Sequence, residues 1–318
     1  MRMLCARRGG YMFRADLIEA GGSDADLRAA KRSGLLVRLR HGTFALGETV
    51  RGMSPEQKHV LVARSVLARL GPGVVLSHHS AALAHTPHSF DIDLDSVHVT
   101  RLDGTHGRKE AGVVYHVGAI TEVDVVEKDG LRITAPARAA FESATISSTE
   151  SGLVIMNAIV RDADCHEELT EVVERLERWP GGRHARLALR LVDPGCESVG
   201  ESRSMFMFWK EGVPRPETQV RVFDVDGTAV ARTDFTWRKV CHVGEFDGLV
   251  KYGRLNPYEG SDAGSVLVDE KRREDQIRGA GFGVSRWTWV DLEPKRRGTT
   301  AARLLSDLER SSRTFAVA

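Results

Sequence analysis

SDADLRAAKRSGLLVRLRHGTFAL, residues 23–46, decides how the front of this chain is read. Ser23 stands where a helix N-cap belongs, and Asp26 three residues later gives an acidic form of a capping box. The spacing predicts a helix from about Asp24 to Ser33, stopped at Gly34, a natural C′ residue. Leu27 and Ala30 lie three apart and face inward, which leaves Arg28, Lys31 and Arg32 on the other side. Leu35 to Arg40 alternates as a strand, His41-Gly42 turns, and Thr43 to Leu46 returns as a second strand. Just upstream, Arg14 to Ala20 makes one short helix ending at Gly21-Gly22. Helix, tight turn, basic helix and β-hairpin is the order of a winged helix-turn-helix, whose second helix enters the major groove while the hairpin touches phosphate.

Charge points to the same partner, DNA. Residues 1–50 hold nine Lys/Arg (Arg2, Arg7, Arg8, Arg14, Arg28, Lys31, Arg32, Arg38 and Arg40) against five acids (Asp16, Glu19, Asp24, Asp26 and Glu48). The candidate DNA-binding residues are Arg14, Arg28, Lys31, Arg32, Arg38 and Arg40. The same cations could instead merely solvate a protein-docking winged helix. The net charge of the whole chain is +1, so any basic surface is local.

The runs Phe13-Arg14-Ala15-Asp16-Leu17, Ser23 to Leu27 and Gly34 to Leu46 resemble the N-terminal domain of AbiEi-type antitoxins, over about 40 residues. Those are winged-helix regulators of type IV toxin–antitoxin operons. His41 departs from the pattern, standing where relatives often carry a second basic residue before the glycine. The resemblance implies operator DNA as a partner and a cognate nucleotidyltransferase-type toxin as another.

At 318 residues the chain suits two domains and a small module, expected at 1–50, 51–194 and 195–318. With 42% hydrophobic and 28% charged residues it is globular, of the α/β (α+β) class, and not disordered. No stretch approaches the roughly 18 apolar residues of a membrane span, and Met1 to Phe13 lacks the apolar region of a secretory signal. Cys5, Cys165, Cys196 and Cys241 are scattered and form no Cys-x-x-Cys, which fits a reducing, cytoplasmic setting.

In the middle α+β segment, Pro55 to Leu70 and Ser77 to His85 read as helices. Val97 to Val99, Val113 to Val117 and Leu131 to Thr134 read as strands, and Pro136 opens another helix. His78, His79, His85 and His88 invite a metal, but no carboxylate or cysteine stands at ligand spacing beside them, so they read as structural. Glu167 to Arg190 is a charged, solvated helical stretch. Asp193-Pro194-Gly195 breaks the chain.

Behind that break a helix runs to Gly212, and Thr218 to Val225 and Val230 to Trp237 pair across Asp226-Gly227. A third strand crosses Glu245, Asp262 to Ala280 is a helix, Val284 to Trp289 a strand and Thr299 to Arg310 a helix. Asp234 and Glu245 sit on neighbouring strands, and Glu245 and Asp247 share a face by alternation. Carboxylates converging there can hold Mg²⁺, with Asp234, Glu245 and Asp247 as metal ligands and Glu201 reaching in from the helix. The alternative is that Asp234 and the Glu-Phe-Asp-Gly run are an ordinary strand edge and turn.

The pieces Gly200-Glu201-Ser202, Thr233-Asp234, Glu245 to Gly248, Lys251 to Arg254, Glu270 to Arg273 and Ser285-Arg286 together resemble actinobacterial relatives of the very-short-patch-repair endonucleases, over about 110 residues. The resemblance implies a PD-(D/E)XK restriction-endonuclease-like domain with a mixed sheet flanked by helices. The catalytic set would be Glu201, Asp234, Glu245 and Asp247, acting through Mg²⁺. Asp247 stands where the motif has lysine, so either Lys251 or Lys271 supplies the cation or the site is inert. Two functions suit these residues: a Mg²⁺-dependent DNA endonuclease, or an antitoxin-like transcriptional repressor with an inactive C-terminal domain. No Walker-type phosphate loop, Gly-x-Ser-x-Gly elbow or His-Glu-x-x-His supports a small-molecule enzyme.

Overall fold

Short elements at the front of the chain hold together through caps and one shared apolar centre. In the computed structural model, which describes residues 1–224, 226–248 and 263–315 and no side chains of 263–270, α1 (Arg2–Arg7), β1 (Tyr11–Phe13), α2 (Arg14–Glu19), α3 (Asp24–Arg32), β2 (Leu36–Arg40) and β3 (Thr43–Leu46) come in that order. The Ser23 hydroxyl accepts from the Asp26 amide while the Asp26 carboxylate accepts from the Ser23 amide, so α3 begins where the sequence places it. The strands form an antiparallel sheet in the order β1-β3-β2. Cys5, Met12, Leu17, Leu27, Ala30, Leu36 and Phe44 close the core beneath it. Gly47 lets the chain leave β3: a Cβ there would lie 2.2 Å from the Gly34 carbonyl oxygen.

α4 (Gly47–Arg51) leads into α5 (Pro55–Leu70), which spans the predicted range, starts on a proline and is capped by Ser54. Leu61 of α5 packs with Tyr11 and Ala45, and the Arg69 guanidinium lies 4.9 Å from the Phe13 ring centre. These contacts bind the first fifty residues to α5. The chain divides into two compact units, Met1–Arg186 and Leu187–Ala318. Asp193, expected at a break, accepts hydrogen bonds from the Thr218 hydroxyl at 2.8 Å and the Gly195 amide at 3.0 Å, which holds that turn inside the second unit.

Six strands make the second sheet of the first unit: β4 (Val74–Leu76), β5 (Val97–Arg101), β6 (Arg108–Glu110), β7 (Val113–His116), β8 (Val125–Lys128) and β9 (Leu131–Thr134). Their order is β6-β7-β5-β4-β9-β8, with β5–β7 and β4–β9 parallel. α6 (His78–His85) and α7 (Pro136–Thr145) join α5 in the core with Leu76, Val99 and Ile133. α8 (Thr149–Ala163) is buried continuously from Glu150 to Val160. Its Leu-Val-Ile-Met run has no polar face and so carries no amphipathic period. α9 (His166–Arg175) and α10 (Gly182–Leu191) replace the single charged stretch expected there, and the division between the units falls within α10.

The second unit runs α11 (Val199–Glu211), β10 (Glu217–Phe223), β11 (Ala229–Trp237), β12 (His242–Asp247), α12 (Ala263–Gly279), β13 (Gly283–Thr288) and α13 (Arg297–Phe315). Its sheet is mixed, β10-β11-β12-β13, antiparallel except for β12–β13. Phe208 of α11 meets Phe235, Trp237 and Trp287 edge to face at 5.1, 5.4 and 5.5 Å, so aromatic area closes the helix onto the sheet. Gly200 permits that approach, because a Cβ there would stand 1.9 Å from the Phe246 ring.

His242 is buried in this unit between the hydroxyls of Ser311 and Ser285, at 2.8 and 2.9 Å. Burial, opposed by Asp307, pushes its pKa down to about 4 from the usual 6.5. The unfolded chain therefore takes the proton first. The stabilisation is complete above pH 6.5 and drains away as pH falls toward about 4, below which both states carry the proton. Urea midpoints followed from pH 7.5 to 4 should fall with this sign, with a shallower slope for His242→Asn.

Candidate functional site

Every predicted DNA-contacting residue lies on the first unit's front elements, and local structure separates them into two groups. Leu27 and Ala30 are buried, which turns α3 so that Arg28, Lys31 and Arg32 are exposed. Arg38 is exposed on β2 beside them in sequence order. Arg14 is engaged instead: its guanidinium grips Asp24 with both arms, at 2.7 and 2.5 Å, and links the start of α2 to that of α3. Arg40 is half-buried and donates to the Ala111 carbonyl at 3.1 Å, turned into its own unit. Four of the six cations thus face solvent on α3 and the hairpin.

Three acids of the second unit, Asp234, Glu245 and Glu201, each already have partners. β11 and β12 pair Phe235 with Gly244, so Asp234 and Glu245 are next along adjoining strands. The Phe246 amide donates to Asp234 Oδ2 at 2.9 Å. Glu245 is gripped by Arg273 of α12 at 2.8 Å and by Arg286 of β13 at 3.2 Å. Glu201 sits in the first turn of α11, where its carboxylate accepts from the Glu197 amide, the Ser198 hydroxyl and the Gln219 side chain at 2.9, 2.7 and 2.9 Å. Burial raises the pKa of both Glu201 and Asp234, and the Asp234 charge raises Glu201 further. Asp247 is half-exposed at the end of β12, and Lys271 is exposed on α12. Lys251 lies outside the described residues. The cations beside Glu245 are arginines, Arg273 of α12 and Arg286 of β13, and not the lysines that the motif led one to expect.

Among the described residues, three or more potential metal ligands converge in one place only, and it is not among these acids. One ring nitrogen from each of His78, His98 and His116 lies within 4.8 Å of the others. Of the helical histidines weighed from the sequence, His78 takes part. His79 bonds the Ser147 hydroxyl, and His85 bonds the Thr134 carbonyl. The partners of His78 stand on strands. Parallel pairing sets His98 opposite Val114 and Thr100 opposite His116, which puts His98 and His116 on one face. Alternation within Val97-His98-Val99 and Val113 to His116 shows each histidine's face, but the β5–β7 pairing that joins them is not written locally.

No protein-family model matches the chain, and no curated protein matches it. Among solved structures it is similar to the RV2827C protein from Mycobacterium tuberculosis, at 19% identity and a TM-score of 0.37, over 70% of this chain and 82% of that one. A likeness at that level carries no argument about fold or function.

Glu245 pairs with two guanidinium groups, and its loss withdraws a carboxylate from both. Glu245→Gln should destabilise the second unit by about 1–3 kcal/mol, as expected when a charged hydrogen-bond partner is withdrawn. A drop in melting temperature checks this; an unchanged or raised one would mean that the carboxylate serves a ligand and not the fold.

Proposed function

We propose that this chain is a DNA-binding regulator that inserts α3 into the major groove and lays the β2–β3 hairpin on the phosphate backbone, as a winged helix does. One observation carries the proposal: burial of Leu27 and Ala30 leaves Arg28, Lys31 and Arg32 together on the exposed face of a capped helix. The order α1-β1-α2-α3-β2-β3, with the sheet β1-β3-β2, supports it. The sequence likeness to AbiEi-type antitoxins suggests an operator as the target and a nucleotidyltransferase-type toxin as a protein partner.

For the second unit, the order helix, three antiparallel strands, helix, parallel strand is that of a restriction-endonuclease-like core, and we take it as that scaffold without cleavage. In this reading the acids tie elements together instead of holding Mg²⁺. Both carboxylate oxygens of Glu245 face arginines, those of Glu201 are taken by hydrogen bonds, and no three acids come together among the described residues. Positive guanidinium groups in contact with the carboxylate oppose a divalent cation there.

Two measurements test these statements. Arg28→Ala with Lys31→Ala should weaken binding to DNA from the chain's own promoter region by about 10- to 100-fold, and should flatten the log–log salt slope by about 2. Unaltered affinity would remove α3 from the interface. Plasmid incubated with the protein and Mg²⁺ or Mn²⁺ should stay intact. Cleavage that disappears with Asp234→Ala and Glu245→Ala would establish the endonuclease instead.

A further inference from the structure

We infer that His78, His98 and His116 form a binding site for Zn²⁺, each giving one ring nitrogen, with a fourth position open to a cavity. Three rings from α6, β5 and β7 meet face to face: His78 stacks on His116 with centres 3.6 Å apart, and His98 on His116 at 5.1 Å. His98 Nδ1 and His116 Nε2 are 2.8 Å apart, joined by a single N–H···N bond. Tetrahedral Zn–N bonds of about 2.0–2.1 Å place ligand nitrogens roughly 3.3 Å apart, so a cation takes the place of that shared proton, and the stacked His78 ring turns to aim its nitrogen at the ion.

The surroundings answer what a ligating imidazole needs. His78 and His98 are buried and His116 is half-buried, so the rings meet away from bulk water. His78 Nδ1 faces the Ser77 hydroxyl at 3.0 Å and the buried Glu142 carboxylate at 3.8 Å, the kind of outer partner that orients a metal-bound histidine. Glu142 is itself fixed by Arg138 at 2.7 Å. His98 Nε2, the nitrogen turned away from that shared bond, is buried without a protein partner. His78 also adopts a left-handed backbone, φ +49°, unusual for a residue that opens a helix.

On one side the cluster borders a cavity of about 210 Å³ lined by His78, His116, Thr145, Ile146, Trp179 and Pro180. Three imidazoles with neither thiolate nor bound carboxylate select a borderline cation such as Zn²⁺ over Mg²⁺ or Ca²⁺. A wall open to a cavity leaves room for water or a small anion as the fourth ligand.

Tag-free, chelator-treated full-length protein titrated with Zn²⁺ in a calorimeter should bind one equivalent per chain. Co²⁺ in its place should give the strong visible absorption of a four-coordinate ion. His116→Ala should weaken Zn²⁺ by at least about 100-fold, since losing outer partners alone costs about 10- to 100-fold. His85→Ala should leave binding unchanged, and circular dichroism verifies that each variant is folded. If His116→Ala fails to fold, the wild-type Co²⁺ spectrum decides. Absence of stoichiometric binding, a six-coordinate Co²⁺ spectrum, or affinity that survives both His98→Ala and His116→Ala overturns the assignment.

Discussion

A guanidinium group cannot be taken out of water without a carboxylate beside it, and the first unit is arranged around one such group. Arg138 is 1% exposed, and Glu142 one turn later on α7 is wholly buried. They pair at 2.7 Å, and Asp124 stands 3.7 Å from the same guanidinium. Asp124 is tied in turn to Arg175 of α9 and to Thr121, so one buried charge fixes the positions of α7, α9 and the turn before β8. On the other side Glu142 accepts from the backbone of His78, where α6 starts. The Arg138 guanidinium also lies 4.9 Å from the centre of the Trp179 ring, which walls the histidine cavity. The charge pair and the histidine cluster are thus one construction, and the first sets the geometry of the second.

The second unit solves a similar problem with different means. Its core is aromatic, built on Phe208, Phe235, Trp237 and Trp287, and Trp287 satisfies its indole N–H on Ser204 at 2.7 Å. Its charges lie toward the far end of the strands. There Arg273 and Arg286 converge on Glu245, and Arg273 also caps the Arg232 carbonyl at 2.6 Å. A carboxylate with two arginine partners is a means of joining α12 and β13 to β12. The acid that the spacing singles out on β12 thus ties three elements together. Glu201 does the same at the start of α11, where its oxygens satisfy the exposed amide of Glu197 and the hydroxyl of Ser198.

Much of the local structure was legible from residue order. The boundaries of α5, β3 and β9 fall where Pro55, Thr43 and Leu131 place them, because caps, prolines and short-range alternation act over a few residues. The capping box at Ser23 and the inward pair Leu27 and Ala30 were likewise visible, and with them the exposed basic face of α3. The α/β (α+β) class and the order of elements in the second unit were also readable from the chain. What was not legible had no local signal. α1 and β1 are too short to show a period, and α8 is buried all round and so has no polar side to mark it.

The sequence alone determined which residues cap, turn and alternate, and hence which cations of α3 point away from its core, because those effects reach no further than one helical turn or one strand. The tertiary structure alone decided which distant groups meet. It turned Arg40 inward onto Ala111, set Arg273 and Arg286 against Glu245, and brought His98 and His116 to His78. The physical reason is that such meetings depend on strand pairing and on where buried charges find partners. Those choices are made by the sum of packing over whole units, and no short stretch of residues records them.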